Sequence, residues 1–237
     1  MSVKSYPLSV ILHLISFITY GYSLCWLFLN ELPPKDRTTI GGRLKFLTYW
    51  DLWIQFMIFS LSLVCDFIAN PNNNRNKAKQ SSIVGLRDLI FNALALPIGC
   101  FVTISFWSLY AIDRELIFPV GIERWYPIWL NHSTHTIILP IVVIENYLVD
   151  HKRREQNKAL PLLSLVIVLY GVWVLYLGLA TNHWVYPVLE VLNWPLRIAF
   201  LLGSILTMFV FYFICGLLYD MGWGSTPKSK IESRKRQ

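Results

Sequence analysis

The 237-residue chain is poor in charge: Asp, Glu, Lys and Arg make up 15% of it, and long stretches carry none. It has no Gly-x-Ser-x-Gly elbow, no phosphate-binding loop and no dinucleotide fingerprint, so none of the enzyme classes those turns announce is indicated. Its four cysteines, Cys25, Cys65, Cys100 and Cys215, show neither paired nor metal-type spacing. They read as small apolar residues inside or at the ends of spans, and no disulfide framework is indicated. Five histidines are too few for a di-iron membrane oxidase. No clear cleavage site follows the first apolar run and Lys4 is the only charge before it, so that run is expected to be a retained helix and not a cleaved signal peptide. No convincing internal repeat is present.

What the chain has in excess is apolar surface. Hydrophobic residues are 55% of the sequence and mean hydropathy is positive. A soluble domain of this size has no core large enough to hide them. About 20 apolar helical residues cross a bilayer. Six runs meet that length, which predicts an all-α integral membrane bundle of six transmembrane helices. The runs are Leu8–Leu29, Phe46–Ala69, Leu89–Ile112, Pro127–Leu148, Leu160–Ala180 and Ile198–Tyr219. Together they make one transmembrane domain over residues 1–222, followed by a basic tail over 223–237.

The net charge of +7 is distributed as in a membrane protein, so no nucleic-acid partner is expected. An even number of spans puts both termini on one face with Arg75, Lys77, Lys79, Arg87 and the Lys152–Arg154 cluster. That face carries about twice as many Lys and Arg as the other, which makes it cytoplasmic. The Asn-rich 70–80 segment and the tail read as mobile, and the tail as lying against anionic headgroups. Its Arg234-Lys235 pair reads as a solvated charge run with a faint resemblance to an endoplasmic-reticulum retrieval signal, and the compartment expected is the endoplasmic reticulum or the plasma membrane.

Polar residues at membrane depth are costly and mark candidate sites. Thr48, Asp51 and Gln55 share a face at the start of the second span. Asn131, His132 and His135 share one at the start of the fourth, and Thr181-Asn182-His183 closes the fifth. The topology puts all three clusters at the non-cytoplasmic end. At 1.5 Å per residue, Thr48 lies about 5 Å and His135 about 12 Å inside its helix start. A hydroxyl and an imidazole could meet there, as a nucleophile and its base would. Ser133, Thr134 and Thr136 are equally eligible hydroxyls, and a membrane threonine more often bonds its own helix carbonyl. Glu145 reads as an interface charge. A zinc site from His132, His135 and His183 or Asp51 is the metal alternative, although catalytic zinc usually wants three protein ligands. No metal or cofactor is expected.

The order and spacing of several segments resemble the androgen-induced family, which includes the androgen-dependent regulators of tissue factor pathway inhibitor. These segments are Gly41-Gly42, Lys45-Phe46-Leu47-Thr48 with Asp51, and Leu86-Arg87-Asp88. Asp113-Arg114-Glu115, Trp129-Leu130-Asn131-His132 with His135-Thr136, Leu139-Pro140 and Glu145 continue the pattern. Trp184-Val185-Tyr186-Pro187 and Leu189-Glu190 complete it. The resemblance implies a six-span threonine hydrolase that cleaves fatty acid esters of hydroxy fatty acids. It implies Thr48 as nucleophile and His135 as base. From its spacing, Asp51 is expected either to hold the tautomer of His135 or to be a structural hydrogen-bond partner between helices, and Asn131, His132 or a helix start near the site to face the oxyanion. Arg43 and Lys45 are placed either to receive the substrate carboxylate or to anchor the helix at the headgroups, and His183 to border the site. The partners expected are the lipid ester and membrane lipids, with no obligate protein partner. The rival reading is a non-enzymatic lipid transporter or regulatory scaffold.

Overall fold

The computed structural model describes residues 3–31, 40–68, 77–152 and 156–224. Its helices are α1 (Tyr6–Leu29), α2 (Leu47–Ile68), α3 (Lys77–Ile90), α4 (Leu96–Ile112), α5 (Ile128–His135), α6 (Ile138–Leu148), α7 (Gln156–Thr181), α8 (Pro187–Val191) and α9 (Trp194–Trp223). No strand occurs among the described residues, so the protein is all-α as expected. Five helical stretches are long and apolar enough to cross a membrane: Tyr6–Leu29, Leu47–Ile68, Ser82–Ile112, Asn157–Thr181 and Trp194–Trp223. The 70–80 segment lies largely outside the described residues, with helical backbone from Lys77, and the tail beyond Gly224 lies outside them altogether.

Two expected spans differ in form, and proline explains both. The run from Pro127 to Leu148 is not one helix but α5 and α6, separated by Thr136 and Ile137. Pro140 has no N–H to give to the Thr136 carbonyl one turn back, and its ring crowds that carbonyl. The ladder reforms only at Ile141, whose N–H donates to Ile137 O at 3.1 Å. In the third span, Pro97 leaves the Ala93 carbonyl without its usual donor. The helix absorbs this as a π turn over Phe91–Ala95, continuous with α3 and α4.

Large apolar side chains face outward along α1, α7 and α9, among them Ile18, Val172 and Leu206. The inward faces interlock around Tyr20, Leu52, Ile58, Phe59, Phe91 and Leu163, all fully buried. This is the pattern of a bundle solvated by lipid, where apolar outer faces carry no penalty.

The end of the bundle near the N-terminus is closed by an ionic chain. His13 Nδ1 lies 2.6 Å from Asp66 Oδ2, and its Nε2 lies 2.9 Å from Glu145 Oε2. The other Glu145 oxygen is 2.9 Å from His151 Nε2, whose Nδ1 is 3.3 Å from Asp88 Oδ1. Arg87 completes the chain at 2.5 Å from the same Asp88 oxygen. Glu145 is therefore no interface charge: it is fully buried and joins α1 to the segment after α6. Each imidazole has a carboxylate on both ring nitrogens, the arrangement of an imidazolium. Three cations then alternate with three anions, which is what makes such burial tolerable.

Candidate active site

The opposite end holds the candidate site, and it begins with how α2 starts. The N–H groups of a first helical turn have no acceptor one turn back. Here no Ser or Asp caps the helix. The Leu47 N–H donates instead to the phenol oxygens of Tyr170 and Tyr186, at 2.9 and 3.0 Å. Tyr170 in turn donates to Lys45 O at 3.0 Å and lies 2.9 Å from the Tyr186 hydroxyl. Burial raises the Tyr186 phenol above its ordinary pKa, so it stays a neutral donor and acceptor. The indoles of Trp50 and Trp173 both donate to Leu44 O.

The turn into this helix depends on Gly41, whose φ is +92° and whose ideal Cβ would lie 2.8 Å from the Trp173 ring. Gly41→Ala is expected to destabilise the protein by about 1–2 kcal/mol. The measurement is the thermal midpoint in detergent; an unchanged midpoint would show that this turn is not constrained.

Thr48 follows, half-buried, and its Oγ1 is 3.2 Å from His135 Nε2. His135 is the last residue of α5 and only 7% exposed. Its Nδ1 is 2.7 Å from Asn131 Oδ1, one turn earlier on α5. An amide oxygen only accepts, so Nδ1 carries the proton and the Nε2 lone pair points at the threonine hydroxyl. Phe106 stacks on the imidazole at 3.8 Å and 13°. The Trp107 indole donates to the His135 carbonyl at 2.9 Å, beside the break between α5 and α6. The ring is thus fixed by a hydrogen bond, a stacking partner and an anchored backbone.

The other eligible hydroxyls are engaged elsewhere. Ser133 Oγ is 2.6 Å from Ser23 Oγ on α1. Thr134 Oγ1 donates to Leu130 O at 2.9 Å and meets Tyr126 and His135 Nδ1, the proton-bearing side of the ring. Thr136 Oγ1 accepts from Trp107 and contacts His132 Nδ1. Among these hydroxyls only Thr48 reaches Nε2.

Two expectations need correction. Asp51 does not touch His135: it is fully buried and accepts from the Gln55 amide at 2.9 Å, so its side chain turns into the bundle and Asn131 takes the orienting place. His132 is exposed and stacked on Trp107: three residues before His135, it lies about 60° round the helix from it, and the rotation of α5 leaves that side at the surface. His183 lines the same cavity as Thr48 and His135, with its side chain 60% exposed and 3.8 Å from Glu190. Among the described residues no three His, Cys, Asp or Glu side chains converge as a metal site would require.

Thr48 and His135 open into a cavity of about 1140 Å³. Its walls are mostly apolar, from Phe101, Ile104 and Leu109 on α4 to Val174 on α7 and Leu201 and Ile205 on α9. This is larger than the roughly 300–1,000 Å³ typical of pockets for small ligands. Arg43 and Lys45 stand at its border. Arg43 donates to Asn30 O at 2.6 Å, while its buried Nε has no hydrogen-bond partner among the described residues. Partial burial lowers the guanidinium pKa from its ordinary value, with Tyr49 and Tyr126 acting in the opposite sense.

Comparison with known proteins places this geometry in context. The family model described as FAR-17a/AIG1-like protein matches residues 8–220. The chain belongs to the FAR-17a/AIG1-like family. The androgen-induced gene 1 protein of Homo sapiens is 32% identical over 230 residues, covering 95% of both chains. The androgen-dependent TFPI-regulating protein of Mesocricetus auratus is 33% identical over 225 residues, covering 89% of this chain and 93% of its own. The human protein of that name is 30% identical over 203 residues, covering 85% and 86%. No solved structure is significantly similar to the chain.

In this FAR-17a/AIG1-like chain, sequence reasoning missed the two tyrosines that cap α2 and the phenyl ring under His135. Tyr170 and Tyr186 come from α7 and the segment before α8, and nothing in their local sequence points to a helix start elsewhere. Phe106 looks like any other aromatic residue of an apolar span. The i, i+4 spacing of Asn131 and His135 was the one signal available for the orienting amide.

Proposed function

We propose that this protein is a membrane-embedded hydrolase of fatty acid esters of hydroxy fatty acids, with Thr48 as nucleophile and His135 as base. The observation that carries the reading is the relay from Asn131 Oδ1 through His135 to Thr48 Oγ1, opening into a large apolar cavity. The implied activity of the androgen-induced family supports it. Both termini are cytoplasmic in this reading, so the site lies toward the other face.

In the first step Thr48 Oγ attacks the ester carbonyl while its proton passes to His135 Nε2. The imidazolium then gives that proton to the departing alkoxide, which leaves as the hydroxy fatty acid. Water, deprotonated by the same nitrogen, attacks the acyl-threonine. The fatty acid is released and the hydroxyl of Thr48 is restored. Thr48 sits in the first turn of α2, and a backbone N–H of that helix start is the proposed donor to the developing oxyanion. Asn131 holds the tautomer and ring orientation, the part a carboxylate plays in serine triads. The unengaged Arg43 Nε supports a carboxylate berth at the cavity border, with Lys45 adding positive charge.

The experiment is to label the purified full chain with an alkyl fluorophosphonate and map the modified peptide. A single adduct on Thr48 is expected. An adduct on Ser133, Thr134 or Thr136 reassigns the nucleophile, and a chain that takes no label fits the transporter or scaffold reading. Asn131→Ala should lower kcat/KM by about 10- to 100-fold and slow labelling in step, as loss of an orienting partner does. Asn131→Asp keeps an acceptor in the same place and should retain most of the rate. Equal losses in the two variants would remove the orienting role.

A further inference from the structure

The α9 helix fully buries side chains along only half its length, while Phe200, Leu201 and Ile205 of its first half are partly buried against the core. Its buried residues are Met208, Tyr212, Cys215 and Gly216, one stripe at helical spacing. There it lies against α4, with Cys215 Sγ 3.9 Å from Cys100 Sγ. Residues 194–207 include no buried side chain. This half borders the cavity instead, through Ile198, Leu201 and Ile205, opposite Ile167 and Val174 of α7. The two helices thus flank the cavity as walls, and the cleft between them runs to the level of Thr48 and His135.

Two glycines widen the cleft. Gly171 of α7 and Gly203 of α9 both line the cavity, and a Cβ added at either would meet nothing within 4 Å. Glycines at packed positions behave differently: a Cβ at Gly178 would lie 2.7 Å from Trp184, and one at Gly99 2.7 Å from Ile138. Glycine weakens a helix interior. Neither Gly171 nor Gly203 is needed for close packing, so open width is what they provide.

We propose that the cleft between α7 and the first half of α9 is the binding site for the acyl chain of the ester, entered from the lipid, and that Gly171 and Gly203 set the chain it accepts. This rests on the hydrolase reading above. The charges support one direction of binding. Arg43 and Lys45 border the cavity on the α2 side, so the carboxylate lies there, the ester at Thr48, and the hydrocarbon between α7 and α9.

The test uses Gly203→Phe and Gly171→Phe in the full-length protein, with Leu206→Phe as a control on a side chain that is 64% exposed and outside the cavity lining. Phenylalanine is a better helix former than glycine, so the variants should fold. Turnover of a 16-carbon 4-nitrophenyl ester should fall about tenfold or more relative to the 4-carbon ester, with the Leu206 control unchanged. An unchanged ratio, or an equal loss for both esters, overturns the proposal. A diazirine-bearing palmitate gives a readout that needs no turnover: it should crosslink to residues 198–205, and Gly203→Phe should abolish the crosslink. Crosslinks only elsewhere would overturn the acyl site. Crosslinks at 198–205 in a chain that takes no fluorophosphonate would keep the site and remove the hydrolase reading.

Discussion

Thr48→Ala is expected to abolish both ester turnover and fluorophosphonate labelling while leaving expression and thermal midpoint unchanged. Thr48 is half-buried, and its hydroxyl contacts His135 at the edge of a cavity. Removing a hydroxyl there leaves no cavity in the core and no orphaned helix cap, so stability should hold. A nucleophile cannot be replaced by its neighbours, because Ser133, Thr134 and Thr136 are each bonded away from Nε2. His135→Ala should retain the nucleophile but lower turnover by about 10²- to 10⁴-fold, the usual worth of a general base. His132→Ala, on the exposed side of the same helix, should retain most activity. The measurement is kcat/KM for a chromogenic ester on protein of matched thermal midpoint. Full activity in Thr48→Ala would end the reading, as would a His132 variant as inactive as the His135 variant.

The second large effect is expected at the other end of the bundle, on stability. Glu145→Gln keeps the shape but removes one of three carboxylates in the chain from Asp66 to Arg87. His13 and His151 would then face a neutral amide while fully buried. Breaking a buried ion pair from one side costs about 3–5 kcal/mol, because the remaining charge is left without compensation. The thermal midpoint in detergent should drop accordingly, with the Thr48 labelling rate of the folded fraction unchanged, since the chain of charges lies at the opposite end. Adding His13→Gln to Glu145→Gln restores equal numbers of both charges. The double variant should be more stable than the sum of single losses predicts. A Glu145→Gln protein that melts like the native one would show that the network carries no such load.

The two ends differ in how well the sequence disclosed them. Thr48 and His135 stood out as polar residues at similar depth in apolar runs, but the residues alone left Ser133, Thr134 and Thr136 equally eligible, and the family resemblance singled out the pair. Asp51 stands out equally, yet its carboxylate turns to Gln55. A face shared along one helix says nothing about which neighbouring helix it meets. His132 and His135 looked alike until the rotation of α5 put one on Asn131 and the cavity, and the other on the surface. Glu145 looked like an interface charge because its partners are far away in sequence: His13 is 132 positions earlier.

The sequence by itself determined that this chain is a helical membrane protein, which of its residues are polar at depth, and the family to which it belongs. These follow from local chemistry, since the bilayer penalises each unpaired polar group wherever the chain places it. Only the tertiary structure decided the break after His135, the partner of each buried charge, and the partly buried first half of α9 that leaves a cleft beside Thr48 and His135. Those depend on helix rotation and on contacts between segments distant in sequence, and no local pattern encodes either.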